Sequence, residues 1–288
     1  MRRIILFVVT NLAVVFVLSV VCRVLGVDSR STGGLIGFAL IFGMGGALIS
    51  LLMSKPIAKW STGAHVIREP RNSQEAWLVR TVEQLANQAG VGMPEVAIYE
   101  GAPNAFATGA FRNSALVAVS TGLLEQMQPN EVRAVIGHEL AHVANGDMVT
   151  LTLLQGVLNA VVILLSRVLG QIVDRALSGD DDRRRGPGIG YFVIQMALQL
   201  VLGVLASLIV MAFSRKREFA ADEGSARYLG SPTDMIAALK RLASGEPGVL
   251  PENMKAFGIN DKPSWNELFA SHPPMEKRIA HLQAFRLG

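Results

Sequence analysis

The sequence contains one cysteine, Cys22. A single chain can therefore build neither a disulfide nor a cysteine-ligated metal site, and any metal must be taken by histidines and carboxylates. Charge is also sparse, with 17% of the 288 residues being Asp, Glu, Lys or Arg, against about a quarter in an ordinary soluble domain. It is wholly missing from four stretches, 4–21, 35–53, 148–166 and 189–214. Half of the chain is apolar and its mean hydropathy is +0.37. Each stretch is long enough, or nearly so, to cross a bilayer as a helix.

The first stretch follows Met1-Arg2-Arg3 as the core of a signal peptide would, but it is too long and a second stretch follows at once. An uncleaved anchor is expected. The net charge of +4 could suggest nucleic acid, yet the basic residues cluster beside the apolar stretches, where they act as topology signals. No nucleic-acid partner is expected. Arg2 and Arg3 before the first stretch, Lys55 and Lys59 after the second, and Arg215-Lys216-Arg217 after the fourth put these flanks in the cytoplasm by the positive-inside rule.

The expected organisation is an N-terminal transmembrane hairpin (1–54), the first part of a cytoplasmic domain (55–147), a second hydrophobic hairpin (148–214) and the second part of that domain (215–288). The second hairpin is interrupted by a polar linker at 174–188, rich in Asp, Arg and Gly. Within the cytoplasmic parts, Trp77, Leu78, Val82 and Leu85 recur at helical spacing and predict a helix over 73–90. Short runs of Val, Ile and Ala at 95–99 and 115–120, bounded by turn residues, predict a small sheet. A second helix is predicted over 129–145, with Pro129 in its first turn and Gly146 past its end. Further helices are expected near 233–244 and 274–285.

The sharpest signal is G-H-E-L-A-H-V at 137–143, an H-E-x-x-H pattern inside a predicted helix. At about 100° per residue, His138 and His142 lie some 40° apart around the helix and one turn apart along it, so both imidazoles reach one ion. A zinc ion with three protein ligands keeps a position for water, lowers that water's pKa toward about 7 and polarises a carbonyl. Glu139, beside the two histidines, is placed to take the proton of a zinc-bound water and pass it to the leaving amine. The alternative, incidental polar residues on an amphipathic helix, requires a chance match at roughly the one-per-cent level in a chain of this length. The extended pattern with a third histidine fails, because that position is Met148. Glu218, in R-E-F-A-A-D at 217–222, is the expected third ligand, and Asp222 lies one turn on, able to fix the tautomer of a ligating histidine. Two uncharged stretches separate Glu218 from the histidines, which returns it to the same side of a bilayer.

With N-A-F-A-T-G at 104–109, V-A-V-S-T-G-L-L at 117–124, G-H-E-L-A-H at 137–142, N-G-D-M at 145–148, S-R-K-R-E-F-A-A-D at 214–222 and S-H-P-P at 271–274, the sequence resembles the HtpX family. These are bacterial inner-membrane heat-shock metalloproteases related to the eukaryotic CAAX prenyl endopeptidases. The resemblance covers essentially the whole chain. It implies an α+β, membrane-anchored, gluzincin-like metallopeptidase domain with four transmembrane helices and a small sheet. It also implies a zinc endopeptidase facing the cytoplasm, acting on misfolded or damaged membrane proteins, with Glu218 as third ligand. His272 resembles a histidine that stabilises an oxyanion in the prenyl endopeptidases, although a packing histidine before two prolines reads equally well. Asn104, Ala105 and Phe106 resemble the edge to which gluzincins bind an extended substrate. The plain alternative there is a turn and edge strand.

Two other classes of function fit less well. A transporter would need ionisable residues within its spans, and the four stretches have none. A zinc-dependent scaffold that holds unfolded segments has no need of Glu139. Four spans are also too few to enclose the large chamber of the prenyl endopeptidases, so general proteolysis is the favoured activity.

Overall fold

The computed structural model describes residues 16–26, 31–177, 189–244 and 272–287. The chain divides into two compact units: Met1–Ser50 with Thr152–Val210, and Leu51–Leu151 with Met211–Gly288. Two helices, α6 (Asp147–Leu177) and α7 (Ile189–Leu229), contribute residues to both.

The second unit is built on a four-stranded mixed sheet. It comprises α2 (Ser54–Thr62), β1 (His65–Val66), α3 (Ser73–Ala89), β2 (Glu95–Tyr99), β3 (Ala105–Thr108), β4 (Leu116–Ser120), α4 (Thr121–Gln126), α5 (Pro129–Asn145), α8 (Thr233–Ser244), α9 (Met275–Ala284) and the ends of α6 and α7. The strand order is β1-β2-β4-β3. β4 pairs parallel to β2 and antiparallel to β3. Its five residues, Leu-Val-Ala-Val-Ser, are all buried, as a run with apolar side chains on both faces must be. Among the described residues β3 has one partner strand, β4, and forms an edge.

Helix α3 starts where it does because the Asn72 side chain accepts from the Glu75 N–H at 2.8 Å while the Glu75 carboxylate accepts from the Arg71 N–H. These satisfy donors that a helix start leaves open. Its predicted stripe delivers Leu78, Val82 and Leu85, fully buried, to a core shared with Val117, Ile136 and Leu239. Each such side chain contributes about 1.5–3 kcal/mol. On the other face of the sheet, Ala97, Tyr99, Leu116 and Ala118 form a smaller cluster, against which Ala58 of α2 and Phe106 of β3 pack.

The first unit holds α1 (Thr32–Leu52) and the apolar lengths of α6 and α7. A Cβ on Gly43 would meet the Ala160 backbone at 2.4 Å, so α1 and α6 touch at a point where only glycine fits. Arg167 lies over the Phe38 ring at 4.0 Å. Among the described residues, three helical stretches are long and apolar enough to cross a membrane, Gly33–Leu52, Asp147–Asp174 and Gly190–Leu229. The other expected span, 4–21, falls mostly outside the described residues, although 16–24 is helical. Two lengths differ from the sequence reading. Helix α6 continues through Leu177 into the expected linker, the remainder of which, 178–188, is outside the described residues. Helix α7 runs for 41 residues, about 60 Å at 1.5 Å per residue, twice a hydrocarbon core of about 30 Å. Only its uncharged first part, ending before Arg215, suits lipid.

Candidate metal centre

Helix α5 is fixed at both ends. Pro129 occupies its first turn, the Glu131 carboxylate accepts from the Gln128 N–H at 2.8 Å, and Gly146 closes it with a left-handed φ of 70°. The helix carries His138, Glu139 and His142, and it crosses α7 at very short range. A Cβ on Gly224 would lie 2.6 Å from the Ala141 Cβ, and one on Gly137 would lie 2.9 Å from the Ser225 Oγ. The Ser225 hydroxyl donates to the Ala134 carbonyl at 2.7 Å across the same crossing. Small residues immediately before each histidine thus let the two backbones approach until side chains from both helices share a point.

That point is occupied by three donors. His138 Nε2 and His142 Nε2 are 3.1 Å apart. Glu218 Oε2 is 3.5 Å from the first and Oε1 is 3.3 Å from the second. The three residues thus form a triangle in which both carboxylate oxygens face the imidazole pair, with one ligand atom of each residue within 4.8 Å of the others, and zinc takes imidazole and carboxylate ligands at about 2.0–2.2 Å. Among the described residues, His138, His142 and Glu218 form the group able to hold a metal ion. The donor set, two imidazoles and a carboxylate, is one that zinc accepts in catalytic sites. Glu218 is 3% exposed, and its Oε2 also faces two cationic or ionisable groups, His272 Nδ1 at 2.7 Å and Arg278 Nη1 at 3.3 Å.

Around this triangle each histidine has its second nitrogen held by a buried acid. His138 Nδ1 lies 2.9 Å from Asp222 Oδ1, and His142 Nδ1 lies 2.6 Å from Asp147 Oδ2. Both contacts leave Nε2 to present a lone pair to the centre. Asp222 in turn accepts two hydrogen bonds from Arg278, Nε at 2.8 Å and Nη2 at 2.6 Å. Asp147 pairs with Arg217, the residue before Glu218. Burial pulls the His138 pKa down, but hydrogen bonds to Asp222 and Glu218 outweigh it and the net direction is up. His142 behaves alike, with Glu218 as the main opposing partner. Burial likewise works against charge on Arg278, yet Asp222 and Glu218 raise its pKa above the ordinary arginine value. The site is therefore one in which positive charge at the centre is favoured.

Glu139 points to the strand beside the helix, where its Oε2 accepts from the Ala107 N–H at 2.8 Å. The Asn104 carbonyl accepts from the Ser120 N–H at 2.9 Å, so Asn104 faces β4. By antiparallel alternation Phe106 and Thr108 do the same, and the main-chain groups of Ala105 and Ala107 face outward. Asn104 itself is 3% exposed, with neither side-chain atom hydrogen-bonded. His272 Nδ1 lies 2.7 Å from Glu218 Oε2, at the rim of the triangle.

Sequence reasoning did not assign Asp147 or Arg217 to the site. A signal for Asp147 exists in hindsight: it is the only charged residue in the first turns of an apolar helix, and a charge entering such a helix needs a partner. Nothing local in the sequence marks the Ala107 amide.

The structure is accompanied by clear relationships to known proteins. The family model described as Peptidase family M48 matches residues 72–286. A curated protein named Protease HtpX homolog from Bordetella pertussis is 57% identical over 296 residues, covering 100% of both chains. Another of that name from Paracidovorax citrulli is 58% identical over 289 residues, covering 98% of this chain and 99% of the relative. A crystal structure of S. mikatae Ste24p aligns with a TM-score of 0.67 at 15% identity, over 98% of this chain and 64% of that one, which is a likeness of fold. Full-length identity at this level and a family match across the whole metal-binding region leave one assignment: the chain belongs to peptidase family M48 and is an HtpX-type membrane metalloprotease.

Proposed function

We propose that the chain is a zinc endopeptidase of the bacterial inner membrane, spanning it several times, with its catalytic centre on the cytoplasmic side. Its substrates on this reading are misfolded or damaged membrane proteins. The observation that carries the reading is the triangle of His138, His142 and Glu218, with Glu139 one residue along the same helix and in contact with an edge strand. Cytoplasmic orientation is supported by the basic flanks Lys55, Lys59 and Arg215–Arg217.

His138, His142 and Glu218 would hold a zinc ion, which when bound would supply Lewis acidity for activating a water and polarising a carbonyl. An extended polypeptide adds to β3 as a further strand, pairing with the outward main-chain groups of Ala105 and the carbonyl of Ala107, whose N–H is already taken by Glu139. Backbone pairing of this kind demands little of the side chains and suits varied, unfolded substrates. Glu139 accepts the proton of the attacking water and delivers it to the leaving nitrogen. Its present contact with the Ala107 amide keeps the carboxylate aimed at the strand along which the substrate lies. His272, beside Glu218, donates to the developing oxyanion. Asp222 and Asp147 hold the two imidazoles in the required tautomer, and Arg278 keeps Asp222 in place.

The test compares casein with a farnesylated peptide as substrates of full-length protein purified without chelators. The account expects casein to be cut, and expects Glu139→Gln to lose roughly 100- to 10,000-fold in rate while retaining its zinc. Preference for the farnesylated peptide would reassign the substrate class, and undiminished cleavage by the Gln variant would remove the mechanism.

A further inference from the structure

Helix α2 is inside out for a protein in water. At about 100° per residue, positions 53, 56, 57 and 60 share an arc of about 100°. They are Met53, Pro56, Ile57 and Trp60, all exposed, with Trp60 at 53%, Met53 at 44% and Ile57 at 37%. The opposite face carries the helix's two lysines. Lys55 reaches Glu95 at 2.7 Å and Lys59 also pairs with Glu95, while Ala58 packs on the sheet between them. A short helix that turns its lysines toward the fold and its tryptophan away from it gains nothing from an aqueous surround.

The chain itself says what that face meets. Helix α1, a membrane-spanning candidate, ends at Leu52, which is 59% exposed. Met53 alone separates it from α2. With about 3.8 Å between successive Cα atoms, the first turn of α2 starts within a few residues' reach of the point where the chain leaves the hydrocarbon. Tryptophan at that depth places an apolar ring in lipid and its N–H among headgroups. We propose that the outer face of α2, Met53, Ile57 and Trp60, is a membrane-surface contact that continues the span of α1 into the headgroup layer. Two neighbours extend its meaning. Helix α2 touches β3, and the Lys55 ammonium donates to Ser114 Oγ at 3.4 Å in the β3–β4 loop, where Phe111 is 65% exposed. Given the endopeptidase reading, the contact holds the substrate-pairing edge at the lipid surface. The polypeptide class served first is then a segment that has just left the bilayer.

The chain has three tryptophans, so Trp77→Phe with Trp265→Phe leaves Trp60 as the sole emitter in the full-length protein. In phosphatidylcholine vesicles, its fluorescence is expected to be blue-shifted and quenched by lipids brominated near the headgroup, more than by lipids brominated near the chain end. Emission unaffected by any brominated lipid overturns the proposal. Shielding from aqueous iodide without quenching by lipid also overturns it, and gives the face to a protein partner. In the natural background, Ile57→Ser with Trp60→Ser is expected to slow cleavage of a membrane-anchored polypeptide several-fold and to leave casein cleavage unchanged. Equal rates on both substrates contradict the delivery role, and if that variant does not fold, quenching alone decides. Quenching needs no cleavage, so a lipid-quenched Trp60 in protein that cuts nothing leaves the surface contact standing and counts only against the peptidase reading.

Discussion

The first unit turns large apolar side chains outward, Leu200 at 70% exposed and Val193 at 61%, whereas the second buries Glu218, Asp222, Asp147 and Arg278 to 3% or less. In the first, Gln155 donates to Asn159 one turn away at 2.8 Å and the Ser207 hydroxyl donates to the Val204 carbonyl, so polar groups are settled within their own helix. In the second, buried charges are settled by side chains from other helices, Asp222 by Arg278 and Asp147 by Arg217. Outward apolar residues are stable where the surround is lipid. Buried charges are stable where each has a partner, and removing one partner leaves the other uncompensated. The same chain thus uses two solvents, and the metal centre belongs to the unit that concentrates charge.

The largest expected break of that contrast lies in the first unit. Leu200→Lys would be harmless on a water-facing helix, but near the middle of a span it is expected to cost about 2.5–3.5 kcal/mol, read as loss of membrane integration after alkaline extraction. Unchanged integration would mean that the outward residues do not face lipid. Next comes the helix crossing. Gly224→Ala puts a Cβ 2.6 Å from that of Ala141 and is expected to destabilise by about 1–3 kcal/mol. Gly203→Ala, with nothing within 4 Å, should be neutral or slightly stabilising, because alanine is the better helix former. Thermal unfolding of both variants in one detergent compares them, and equal shifts would deny that close approach matters.

Asp147→Asn leaves the shape but removes the charge behind His142. Metal affinity is expected to fall about 10- to 100-fold, measured by competition with a chelating dye. The smallest effect belongs to Glu95, whose pKa is lowered by hydrogen bonds from Lys55 and Lys59. A carboxylate with a depressed folded pKa contributes stability above its unfolded value, near 4.5, and loses it as pH falls through the lower folded value. Its side chain is 39% exposed, so Glu95→Gln is expected to cost less than about 1 kcal/mol at neutral pH. The cost should vanish in acid, as urea unfolding at the two pH values would register.

Much of the second unit was legible because its signals are local. The stripe at Trp77, Leu78, Val82 and Leu85 predicts a helix over 73–90, and α3 runs over Ser73–Ala89. Pro129 and Gly146 likewise mark the ends of α5. The pair His138 and His142 follows from helical spacing alone, and Glu218 from the need for a third ligand. What sequence could not supply are relations between distant segments. Arg278 reaches Asp222 across 56 positions and Ala107 reaches Glu139 across 32, and no periodicity encodes either. The length of α7 was missed for a different reason. The change from apolar to charged residues at Arg215 reads as a boundary, yet the backbone continues because leucine, alanine, arginine and glutamate all favour helix.

The account's central claim is that His138, His142 and Glu218 converge on one zinc ion and that Glu139 serves the chemistry without holding the metal. Zinc content, measured by mass spectrometry on full-length protein purified without chelators, tests it directly in the natural chain, Glu139→Gln and Glu218→Ala. The account predicts one zinc per chain in the first two and little in the third. Full zinc in Glu218→Ala, or its loss from Glu139→Gln alone, would contradict it.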